Sequence, residues 1–210
     1  MLQGAIIGLI VGLVMTVVMT SKQKKRKERF FKALDNNGPE AARTVLDTEV
    51  KPLAKLPMNS ILDQQDRMAG LAIIGDLQTL ETEIAGHTGK LVSVAQVNAI
   101  GLLGVTIRAD DPADGARRLE ELATRMESEG GATTKLVKKK VRNLANLARS
   151  ITGQMMPPDT STAIQQMTTR EPQLVRVLLC QGMVRAISAA GGDPAEMRAR
   201  VQKDTRAFDS

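Results

Sequence analysis

The first twenty residues carry almost no polar pattern, and the rest of the chain carries a helical one. From Leu2 to Thr20 there is no charged side chain, and Gln3 is the only strongly polar one. A helix of that length spans ~28 Å, close to the ~30 Å hydrocarbon layer of a bilayer, so residues 2–21 predict a transmembrane helix. A cleaved leader fits less well, because no basic stretch precedes the apolar run and no small-x-small site follows it. Gly4, Gly8, Gly12, Thr16 and Thr20 recur every fourth residue and make a stripe of small side chains suited to helix packing in lipid.

Beyond this segment apolar residues recur three and four apart, and no stretch alternates with period two. Ala116, Leu119, Leu122, Ala123 and Met126 line one face of a helix that Asp111 can cap, Pro112 can open and Gly130-Gly131 stops. Val137, Val141, Leu144, Ala148 and Ile151 mark a second amphipathic helix. Leu91–Arg108 is apolar nearly all round, and its Ala95, Ala99, Gly101 and Gly104 would let a neighbouring helix approach closely. Glu171–Ala190 is a further long apolar helix. The expected class is all-α.

Turn signals recur at comparable intervals. Counted from Pro39, Asp76, Asp111, Asp159 and Asp193 they lie 37, 35, 48 and 34 residues apart, near the length of one helix-turn-helix unit. The stretch from Gly101-Leu102-Leu103-Gly104 through Asp110-Asp111-Pro112-Ala113 to Leu122-Ala123 resembles the tetratricopeptide-repeat family. Gly182 through Gly192-Asp193-Pro194-Ala195-Glu196 echoes it, although the family's aromatic positions are aliphatic here. The resemblance implies stacked antiparallel hairpins that bind partner proteins. An irregular helical bundle is the alternative. The expected organisation is a transmembrane helix (2–21), a basic juxtamembrane helix (22–36) and a helical-repeat domain (37–210).

Charge sharpens this picture. Lys22, Lys24, Lys25, Arg26, Lys27 and Arg29 face only Glu28, a net of +5 out of +6 for the whole chain. The positive-inside rule then puts the body in the cytoplasm, with these side chains meeting lipid head groups. The Ala-, Arg- and Gly-rich composition suggests a bacterial inner membrane. With most of the excess charge in one place and only Phe30, Phe31 and Phe208 as aromatics, nucleic acid is not an expected partner. Lys135, Lys138, Lys139 and Arg142 form a second cluster, either a plain solvated helix surface or a candidate docking edge for an acidic partner or for the membrane.

Little points to catalysis. One His and one Cys exclude a Cys/His zinc site and a disulfide framework. Gly86-His87-Thr88-Gly89-Lys90 lacks the spacing of a phosphate loop and reads as a helix stop. Cys180 lies in an apolar helix and reads as a small hydrophobe. The carboxylates interleave with Lys and Arg on helix faces. The expectation is a non-enzyme without cofactor: a membrane-anchored scaffold or adaptor for other membrane or cytoplasmic proteins. A self-assembling structural membrane protein (a homo-oligomer) and an accessory subunit of a membrane enzyme are the alternatives.

Overall fold

The computed structural model describes residues 21–50, 61–87, 92–128, 134–157 and 172–202, and these hold helices and no strand. Helix α1 covers residues 21–37. It is followed by α2 (Pro39–Glu49), α3 (Ile61–Ile73), α4 (Leu77–Gly86), α5 (Val92–Arg108), α6 (Pro112–Ser128), α7 (Thr134–Ile151), α8 (Gln173–Ala189) and α9 (Ala195–Gln202).

Local chemistry sets the boundaries. Between α3 and α4 the chain turns through Gly75 at φ 76°, a region that costs glycine nothing, and Asp76 then accepts the Thr79 N–H at 3.1 Å as the cap of α4. Asp111 accepts the Ala113 N–H at 2.9 Å, and Pro112 opens α6 where its missing N–H leaves no bond unmade. His87 closes α4, as the turn reading expects.

The core is built around α5. Its Val97, Ile100, Leu103 and Ile107 are almost fully buried, and the helix packs against α3, α4, α6, α7 and α8. Small residues make this possible, as the sequence suggests. A Cβ on Gly104 would stand 2.5 Å from the Ala72 Cβ of α3, and one on Gly101 would stand 2.7 Å from the Met68 side chain. Two helices therefore approach within the reach of a methyl group. Helix α7 buries the predicted face of Val137, Val141, Leu144, Ala148 and Ile151. Phe30 and Phe31 of α1 are both buried, edge to face, with ring centres 5.1 Å apart.

This packing corrects the repeat reading. In a solenoid each hairpin touches only its neighbours in sequence. Here α3 lies against α8 as well as α5, and α7 lies against α5, α6 and α8. The turns at Pro39, Asp76, Asp111 and Asp193 mark where helices begin, Asp159 lies outside the described residues, and contacts between sequence-distant helices close the assembly around α5.

The membrane reading is corrected too. Among the described residues no helix is long and apolar enough to cross a membrane. The long apolar helices α5 and α8 have 17 residues each, or ~26 Å, and their apolar surfaces face other helices. The assignment as a single-pass membrane protein with a cytoplasmic body is withdrawn on that finding, as is a bacterial inner-membrane location. Gly4, Gly8, Gly12, Thr16 and Thr20 lie outside the described residues.

Candidate functional site

Helix α1 has an inward face that its charge count conceals. Gln23, Arg26, Phe30 and Phe31 are buried, while Lys22, Lys24, Lys25 and Arg29 point outward and Lys27 is half-buried. The spacing is that of one helical face, with Arg26 one turn before Phe30. The guanidinium of Arg26 is completely enclosed. Its Nη2 donates to Asp63 Oδ1 at 2.7 Å and its Nη1 to Asp66 Oδ2 at 3.3 Å. The Nε atom stands 3.7 Å from Glu49 Oε2 and has no hydrogen-bond partner among the described residues. A uniformly basic lipid-facing helix is therefore not what residues 22–29 make, because Arg26 serves the interior. Arg29 is tied to Glu49 at 2.7 Å.

Asp66 is as fully buried as Arg26. Its Oδ1 accepts the Leu174 N–H at 2.9 Å, so one carboxylate joins α1 to the first turn of α8. Burial pushes this carboxyl up to about 7, against the pull of Arg26 and of the Leu174 and Val175 N–H groups, with Asp63 pushing the same way as burial. Gln64 and Gln65 beside it are also buried. Gln65 Nε2 donates to Gln96 of α5 at 3.1 Å, and its Oε1 accepts from Lys140 Nζ of α7 at 3.2 Å. A polar seam thus runs from α1 across α3 to α5 and α7, through a largely apolar core. Buried polar groups are tolerated when paired, and they fix which helices face one another.

The predicted cluster on α7 divides in two. Arg142 is held by Glu127 at 2.8 Å and, closer still, by Glu120, and these two carboxylates raise its already high pKa. Lys138 Nζ donates to the Glu127 carbonyl at 3.2 Å. Both therefore tie α7 to α6. Lys135 and Lys139 stay exposed, and between them Leu136 is 78% exposed. An uncovered leucine flanked by two lysines is the most partner-like surface on the helix.

Elsewhere arginines work as braces. Arg67 joins Asp47 of α2 to Glu83 of α4, each at 2.7 Å, and Arg118 grips Glu81 with two bonds of 2.7 and 2.8 Å. Arg108 donates to the Ala72 and Ile73 carbonyls at 3.0 Å each, closing the end of α3. Burial lowers its pKa, with Arg185 adding to the effect. An open groove of about 330 Å³ between α4, α5 and α6 has an apolar floor of Ile84, Leu102 and Leu122. Its Arg118 is already neutralised by Glu81. Among the described residues no group of three or more His, Cys, Asp or Glu is placed to hold a metal ion.

Comparison with protein families, with curated proteins and with solved structures finds no match. The resemblance to tetratricopeptide repeats is thus unsupported by any family match as well as by the packing.

Proposed function

We propose that the chain is a non-catalytic binding module, a scaffold that docks an acidic partner protein on the outer face of α7. The observation that carries this reading is Leu136, exposed between the exposed Lys135 and Lys139. The opposite face of the same helix is fully engaged in the core, so the helix is held rigidly and needs no outer contact for its own stability. An apolar anchor rimmed by charge is a common design of a docking point: the anchor supplies affinity, and the rim supplies approach rate and selectivity. Like charges on the same face oppose self-association through it, which favours a different chain as the occupant.

A photo-crosslinking residue placed at position 136 of the full chain, in its own cells, tests this. The expected result is a small number of discrete protein adducts. Charge reversal by Lys135→Glu with Lys139→Glu should reduce them about tenfold or more, and raised salt should weaken them, because steering by exposed charges is screened. Adducts that ignore both changes, or no adduct at all, would overturn the docking surface.

A further inference from the structure

The enclosed Arg26 cluster places one cation among three carboxylates. Arg26 comes from α1, Glu49 from α2, and Asp63 and Asp66 from α3. Helix α8 adds the Leu174 N–H, and Lys140 of α7 sits next door on Gln65. Arg29 at the outer edge also holds Glu49, so with every carboxyl ionised the cluster is one charge negative, in a place where Arg26 and Asp66 have no exposed surface. Removing one charge relieves it. The geometry says which one. Asp63 and Glu49 keep 24% and 20% of their side-chain surface exposed and stay hydrated. Asp63 also makes the short bond to Arg26, 2.7 Å against 3.3 Å for Asp66. Asp66 can therefore carry a proton while Arg26 keeps its closer partner.

We propose that this cluster is a proton-dependent latch for α1: the helix is held on the body while Asp66 is protonated, and its hold weakens as Asp66 ionises. Arg26 covers Asp66, so lifting α1 admits water to the carboxyl and returns it to the ordinary carboxylate range. Closing α1 therefore takes up a proton. Because the closed-state value lies near 7, above the open-state one, closure is favoured on the acid side and loses that support as pH rises through 7. Release uncovers a socket of Glu49, Asp63 and Asp66.

Hydrogen exchange on the full chain at pH 6 and pH 8, corrected for the chemical exchange rate, reads this directly. The amides of α1 should be less protected than those of α5 at both values, and their protection should fall about tenfold between them. Asp66→Asn, which cannot ionise, should abolish that fall. Phe30→Ala loosens α1 and leaves the carboxyls intact, so it should lower protection at both values and keep the tenfold ratio. This second variant holds the test open should Asp66→Asn not fold. Three results would overturn the latch: protection in α1 that does not change with pH, a fall that survives Asp66→Asn, or α1 and α5 opening with equal free energy throughout.

Discussion

Replacing Arg26 with Met should destabilise the chain by ~3–5 kcal/mol near pH 8, as judged by urea unfolding, although the new side chain is apolar and of similar length. The cost is that of the carboxylates left behind. Asp66 would keep the Leu174 N–H as a donor and lose the Arg26 cation, and Asp63 would lose its 2.7 Å partner. The loss should shrink at pH 5.5. Asp66 titrates near 7 with Arg26 present, and without that pull its value moves higher, so the variant binds a proton in the folded state and not in the unfolded one. Its stability therefore rises as pH falls. Adding Asp66→Asn to the variant should cost less than the two single changes summed, because the second change removes the charge that the first exposed. Equal losses at both pH values would mean that Arg26 acts through packing alone.

That result bears on what could be read in advance. Five basic neighbours made Arg26 look like one more surface cation. The spacing already contained the contrary signal: Gln23, Arg26, Phe30 and Leu34 share one face, and two of those four are apolar. On α3, Ile61, Gln65, Met68 and Ala72 likewise fall three and four apart, which puts Gln65 at a core position. What the spacing could not supply were the partners. Arg26 finds Asp63 and Asp66 at separations of 37 and 40 residues, and Asp66 finds Leu174 108 residues away. Such pairings depend on how helices pack, and no local pattern records them. The amphipathic faces of α6 and α7, the turn at Asp76, the cap at Asp111, and the small residues of α5 were legible because each acts within a turn or two of itself. The docking edge was legible only in part. The cations of α7 could be listed, but which of them α6 would claim depended on Glu120 and Glu127, 22 and 15 residues before Arg142. Even turn spacing misled, since it reports where helices start and says nothing of which helices meet.

The meeting of α3 and α5 sets the second large effect. Gly104→Ala should destabilise the chain by ~1–3 kcal/mol, and the sign is decided by two opposed magnitudes. Within a helix Ala is favoured over Gly by ~1 kcal/mol. Against this, the new Cβ would lie 2.5 Å from the Ala72 Cβ and 3.2 Å from a Leu80 methyl carbon. The first of these belongs to a side chain with no rotamer to change, so the helices must separate, and overpacking of this kind costs ~1–3 kcal/mol or somewhat more. Separation also stretches the braces that depend on it, because Arg108 reaches across to the Ala72 and Ile73 carbonyls. Two comparisons isolate the cause. Gly86→Ala, where nothing lies within 4 Å of the added carbon, should be neutral or stabilising by up to ~1 kcal/mol. Ala72→Gly combined with Gly104→Ala should recover part of the loss, since the remaining Ala72 Cα stands 3.8 Å from the new methyl group. Thermal and urea unfolding of the parent, Gly104→Ala, Ala72→Gly and the double variant gives the coupling energy. If Gly104→Ala proves as harmless as Gly86→Ala, α3 and α5 are not in the contact that organises the core, and the arrangement of the remaining helices around α5 loses its basis.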